Sequence, residues 1–148
     1  MRYSNATNYA LHTIVHLMLQ PRESLVGVKE LADMQNLSPT YLSKILTKLA
    51  KAGLIESTPG AKGGYKISRT KQEISFLDVI HAIEGDTSLF DCTIHHEGCL
   101  IEKAMKQVEE NMKGELDSML LNDIAKEATS KQIEKNSSNN FLNKELII

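Results

Sequence analysis

Cysteine is scarce in this sequence. Two in 148 residues are too few for the disulfide framework of a small secreted domain. No apolar run approaches the ~18–20 residues of a membrane span. The first residues, Met1-Arg2-Tyr3-Ser4-Asn5-Ala6-Thr7, lack the basic-then-apolar layout of a secretion signal. A soluble cytoplasmic protein without membrane contact is expected. Catalytic motifs are missing too: there is no glycine-rich phosphate loop, no serine elbow and no pair of carboxylates beside a strand end. A hydrolytic zinc site on Cys92, His95, His96 and Cys99 is the one candidate, and four protein ligands leave no open position for substrate. No enzyme is expected. The 41% apolar and 24% charged residues suit one folded domain with a moderate core and an arm.

The net charge of −2 conceals a strong asymmetry. Residues 1–37 are neutral overall, residues 38–72 carry net +6 with Glu56 as their single acid, and residues 73–148 carry net −8. A basic segment inside an acidic chain points to a polyanionic partner, because an ordinary solvated surface mixes both signs.

The hydrophobic spacing places helices at about 6–19, 28–35 and 38–52. Ser4 or Asn5 can cap the first, and Gln20-Pro21-Arg22 stops it. Ser38-Pro39 caps the third and sets a proline where the missing N–H costs nothing. Gly53 then falls at the left-handed end position. Two short strands, 54–57 and 64–68, flank the turn-rich Thr58-Pro59-Gly60-Ala61-Lys62-Gly63. A fourth helix starts at Ser75 with Asp78 as reciprocal cap and ends at Gly85. An irregular stretch follows, then a long helix over about 100–128 and a polar tail expected to be mobile.

Helix, short helix, tight turn, amphipathic helix and basic hairpin in that order make a mainly α winged helix-turn-helix with a small β-hairpin wing. Leu42, Ile45, Leu46 and Leu49 form the buried stripe of the third helix. That stripe turns Ser38, Thr40, Tyr41, Ser43, Lys44, Thr47, Lys48 and Lys51 outward, where hydroxyls and amines meet base edges and phosphates. At the wing, Lys62, Gly63, Gly64 and Tyr65 are candidates for backbone approach and minor-groove contact. Double-stranded DNA is therefore the expected partner.

At these positions the sequence resembles the Rrf-two family of bacterial winged-helix regulators, which includes iron–sulfur cluster regulators and nitric-oxide-sensing repressors. Asn8-Tyr9-Ala10-Leu11, residues 37–46, Leu49 through Ile55, Gly60-Ala61-Lys62-Gly63-Gly64-Tyr65 and residues 74–85 carry the resemblance, in family order and spacing. It covers about residues 1–128 and implies a homodimer on operator DNA. Pro59 stands where many members place a minor-groove arginine, and Lys62 is its substitute. Cluster-bearing members have three cysteines before the long helix; here Cys99 matches the last, and Cys92 one of the others. Asn8 stands where the nitric-oxide sensors use an aspartate.

Three readings of residues 92–99 stand side by side. Both cysteines can be small packed side chains with solvated His95 and His96. Cys99, near a helix N-terminus, can be a reactive thiol that Cys92 resolves after oxidation. Cys92, His95, His96 and Cys99 can also hold a metal or complete an iron–sulfur cluster, although only two of the family's three cysteines are present. His12, His16 and His81 read as ordinary helix-surface histidines.

Along the long helix Ile101, Met105, Val108, Met112, Leu116 and Met119 recur at near coiled-coil spacing, an apolar stripe that a second copy would cover. The expected organisation is a winged-helix domain over 1–85, a sensor loop over 86–99, a dimerisation helix over 100–128 and a tail over 129–148. The expected function is a dimeric, sequence-specific DNA-binding regulator, a repressor, responding to redox or thiol stress through Cys92 and Cys99. The alternatives are a metal- or cluster-dependent regulator and a winged-helix protein-interaction adaptor, against which the +6 segment argues.

Overall fold

The computed structural model describes residues 2–86, 88–94, 98–138 and 148. Helix α1 (Asn5–Met18) opens on Ser4, whose hydroxyl accepts from the Thr7 amide. Helices α2 (Val28–Met34) and α3 (Pro39–Lys51) form the helix-turn-helix. The chain turns between them through Asn36 at φ 54°, a left-handed conformation that asparagine tolerates. Leu42, Ile45, Leu46 and Leu49 are all buried, on the stripe expected from their spacing. Burying a side chain of this size is worth about 1.5–3 kcal/mol. Four on one face therefore fix which side of α3 meets solvent.

The wing is an antiparallel pair, β1 (Ile55–Thr58) and β2 (Gly64–Ile67), in register Ile55↔Ile67 through Thr58↔Gly64. The segment before α2 adds a single antiparallel bridge on the other side of β2: Val26 and Tyr65 exchange backbone hydrogen bonds of 2.9 and 2.8 Å. This approach accounts for Gly64, where a Cβ would stand 2.7 Å from the Val26 carbonyl oxygen. At Gly63 a Cβ would stand 2.0 Å from the Thr58 carbonyl oxygen, so the tight hairpin also requires glycine.

Helix α4 (Phe76–Glu84) carries the expected capping box of Ser75 and Asp78 and ends at Gly85, φ 82°. Its last residue ties it to the start of α1. The Glu84 carboxylate accepts from the Ser4 amide (2.7 Å), the Ser4 hydroxyl (2.6 Å) and the buried Thr7 hydroxyl (2.6 Å).

The single helix expected over 100–128 is two helices, α5 (Leu100–Ser118) and α6 (Leu121–Ser138). The break has a tertiary cause. The Met119 carbonyl accepts from Phe76 N, Leu121 N donates to the Ile74 carbonyl, and the Asn122 side chain bridges Ile74 N and the Gln72 carbonyl. These bonds satisfy the backbone groups that a continuous helix would have used. Beyond the break, Leu121, Ala125 and Ala128 are buried, and α6 packs on α1 within the same chain. The stretch assigned to a dimerisation helix thus belongs in part to the domain's own core, and residues 129–138 of the supposed tail are helical. Residues 139–147 lie outside the described residues.

Candidate nucleic-acid interface and thiol loop

Along α3 the residues Thr40, Tyr41, Lys44, Thr47, Lys48 and Lys51 are exposed and Ser43 is half-buried. Ser38 is exposed, but its hydroxyl already serves the helix by accepting from Tyr41 N at 3.2 Å. The Tyr41 ring stands edge-on to Tyr9, centroids 6.0 Å apart, which orients the phenol. At the wing Lys62 is exposed at the turn, whereas Gly63 and Gly64 are half-buried and placed by backbone packing. Tyr65 is packed against the core, so its ring serves the wing's seat on the domain.

Tertiary structure sorts the seven basic residues of the 38–72 segment into two groups. Lys66 Nζ and Arg69 Nη2 both meet Glu23 Oε2, at 2.7 and 2.6 Å, and Lys71 Nζ meets Asp78 Oδ2 at 3.1 Å. Lys48 Nζ donates to the Ile83 carbonyl at 3.1 Å, at the negative end of the α4 dipole. Among the described residues Lys44, Lys51 and Lys62 have no ion-pair partner. The lysines without an ion pair therefore lie on the exposed face of α3 and at the wing turn, while Lys66 and Arg69 share the one charge of Glu23.

Cys92 and Cys99 are free, half-buried and close: Cys92 Sγ donates to Cys99 Sγ over 3.8 Å. Cys99 caps α5, its sulfur accepting from Glu102 N at 3.5 Å. That amide hydrogen bond holds the Cys99 thiol below its ordinary pKa, because the thiolate is the better acceptor at a helix N-terminus. His95 and His96 lie outside the described residues. Among the described residues no three of His, Cys, Asp and Glu converge as a metal site. Cys92 and Cys99 are two donors where an iron–sulfur cluster takes four, so the described part of the loop does not by itself fit one.

The residues that dock this loop escaped the sequence reading. Glu109 on α5 is nearly buried, accepting from Leu89 N (3.1 Å) and the Ser88 hydroxyl (3.4 Å). Lys113 bridges Glu109 and Asp86, each at 3.1 Å, and holds the Glu109 carboxyl below the usual carboxylate range. The i,i+4 spacing of Glu109 and Lys113 was a weak signal, since such pairs are common on exposed helices. Helix α5 also presents its stripe outward: Ile101, Met105, Val108 and Met119 are exposed, Met112 and Leu116 half-buried. Leu100, 80% exposed, widens it. His16 departs from expectation: it is 3% exposed on the inner face of α1, its Nε2 has no partner among the described residues, and burial lowers its pKa.

This geometry has close parallels. Residues 3–127 match the Rrf2 family, described as an iron-dependent transcriptional regulator. The chain is 33% identical over 101 residues to the HTH-type transcriptional regulator NsrR of Halalkalibacterium halodurans, covering 68% of this chain and 69% of that protein. It is also similar to CymR (YrzC), the global cysteine regulator of B. subtilis. The TM-score there is 0.71 at 30% identity, over 85% of this chain and 97% of that one. T. potens IscR aligns with a TM-score of 0.69 at 30% identity, over 89% of this chain and 91% of its own.

Proposed function

This chain belongs to the Rrf2 family and is a winged-helix DNA-binding transcriptional regulator, and from that premise we propose that it is a homodimeric repressor switched by the thiols of Cys92 and Cys99. The observation that carries the reading is the location of the unpartnered lysines. Lys44 and Lys51 lie on the open face of α3 and Lys62 at the wing turn, while the other four basic residues of that segment are engaged within the fold. In this reading Thr40, Tyr41, Ser43 and Lys44 enter a major groove and Lys62 reaches the flanking backbone or minor groove. Lys48, fixed by α4, meets phosphate as a positioned charge. The α5 stripe is covered by the same stripe of a second copy, which presents two reading heads roughly 34 Å apart, one turn of DNA. A dimer seated on an operator excludes other proteins from it, so repression is the direct consequence of binding.

The thiol chemistry follows from the loop geometry. The Cys99 thiolate attacks one oxygen of a hydroperoxide, breaking the O–O bond and releasing the other oxygen as water or alcohol. The resulting sulfenic acid condenses with the Cys92 thiol, forming the disulfide and releasing water. The sulfurs must close by about 1.8 Å, from 3.8 Å to bonding distance. Ser88 and Leu89 of the same loop are held by Glu109, so the movement bears on α5 and hence on the spacing of the two reading heads.

Titrating salt against binding to random duplex DNA tests the reading. Binding should weaken steeply as salt rises, by counterion release. Absence of binding at low salt would favour the protein-interaction adaptor.

A further inference from the structure

A cleft of about 590 Å³ opens at the base of the wing, between the end of α1, the 20–24 loop, β2 and α6. Its volume is that of a small-molecule site. Of the six charged side chains that line it among the described residues, Arg22, Lys66, Arg69, Lys71 and Lys126 are basic and Glu23 is acidic, in a protein whose net charge is −2. Leu17 and Met18 of α1, Ile67 of β2 and Ala125 of α6 contribute apolar lining.

Within the cleft two cations converge on one oxygen, Lys66 Nζ at 2.7 Å and Arg69 Nη2 at 2.6 Å from Glu23 Oε2. The Lys66 side chain is only 14% exposed, whereas that of Glu23 is 53% exposed. Lys66 is thus built into β2, Arg69 reaches in from two residues beyond it with its side chain 67% exposed, and the carboxylate is delivered by a surface loop. Glu23 does so from φ 72°, a left-handed backbone that a residue with a Cβ adopts at a cost. Its contact with Lys66, ahead of that with Arg69, holds the carboxyl at a pKa of about 2, so it is ionised throughout the neutral range. An exposed loop carboxylate can be exchanged for a free one without opening the core.

We propose that this cleft binds a small carboxylate-bearing molecule with a short apolar body, its carboxylate taking the place between Lys66 and Arg69 that Glu23 now fills. The apolar lining from α1, β2 and α6 receives the body of the ligand. Occupancy is communicated to the wing: Lys66 follows Tyr65, the residue that pairs with Val26, and Val26 lies three residues beyond Glu23. Release of Glu23 therefore loosens the strand-to-loop contact that sets the wing on the domain. Glu23 is the resident competitor that sets the ligand's affinity.

The test uses the full-length protein and glutarate, whose three methylenes are a short apolar body and whose ends repeat the CH2–CH2–carboxylate of the Glu23 side chain, followed by calorimetry in low salt without DNA. Its outcome is thus independent of the DNA-binding reading. Glu23→Gln removes the resident anion and should raise glutarate affinity by about tenfold or more over wild type, the scale of one charge-assisted hydrogen bond. Adding Arg69→Ala should abolish that gain, and neutral glutaramide should not bind. Both altered side chains are exposed, so each variant keeps the fold. The proposal fails if Glu23→Gln binds glutarate no more tightly than wild type, if the double variant binds as well as the single one, or if glutaramide binds equally.

Discussion

Val108→Glu separates the fold of one chain from the association of two. Val108 is 64% exposed in the isolated chain, with Met105 and Ile101 exposed one and two turns before it. A single exposed substitution of this kind should change the stability of one chain by no more than about 0.5 kcal/mol. In a symmetric dimer the same residue is buried twice. Losing a valine from the seam forfeits about 1.5–3 kcal/mol per copy, hence about 3–6 kcal/mol per dimer. The dimer dissociation constant should rise by about 10²–10⁴-fold, and mutual repulsion of the two glutamates adds to this. Sedimentation velocity at micromolar concentration should therefore show monomers with unchanged helical circular dichroism. Operator affinity should collapse alongside, because the second half-site is no longer tethered to the first. An intact dimer of Val108→Glu at the same concentration would refute the seam and move the interface to another surface.

Lys44→Ala and Lys62→Ala should each weaken DNA binding and reduce the salt slope by about one in gel-shift titrations; unchanged affinity in both would exclude α3 and the wing as the interface. Cys99→Ser should keep the affinity of the reduced protein and lose its response to hydroperoxide, with no Cys92–Cys99 disulfide in mass spectra; a variant that still responds would exclude this thiol as the trigger. Glu84→Ala should cost about 1–3 kcal/mol in urea unfolding, since it strips the bonds from Ser4 and leaves the buried Thr7 hydroxyl unpaired. Hydrogen bonds from Ser4 and Thr7 hold the Glu84 carboxyl below its ordinary pKa, so its contribution is complete above the unfolded value of about 4.3 and is lost as pH falls through the folded one. The stability gap between wild type and Glu84→Ala should close on acidification through that range; a constant gap down to pH 2 would refute the assignment.

The winged-helix domain was legible because its signals are local. Ser38-Pro39 starts α3, four aliphatic residues at helical spacing orient it, Ser75 and Asp78 form their capping box within one turn, and Gly53 and Gly85 take the left-handed ends. Each depends on residues a few positions apart, whose geometry the backbone dictates whatever surrounds them. The outward stripe of α5 belongs to the same class, since its period alone reveals a face in need of cover.

Tertiary structure decided what required distant partners. Helix-forming residues run on through Met119 and Leu120, and only hydrogen bonds to the segment around Ile74 and Phe76 break the helix there. Beyond the break α6 covers α1, a pairing that neither helix announces by itself. A count of charges could find the +6 segment but not how much of it is engaged, because Glu23 and Asp78 pair with Lys66, Arg69 and Lys71 from outside it. Two cysteines seven positions apart could be spaced in many ways; the cap of α5 and the docking of the loop by Glu109 bring their sulfurs to 3.8 Å. Local propensities are summed along the chain, whereas ion pairs and helix breaks are settled by which groups the fold brings together through space. For that reason the winged-helix domain and the two candidate thiols were visible in the sequence, and the cleft at the base of the wing and the 3.8 Å approach of the sulfurs were not.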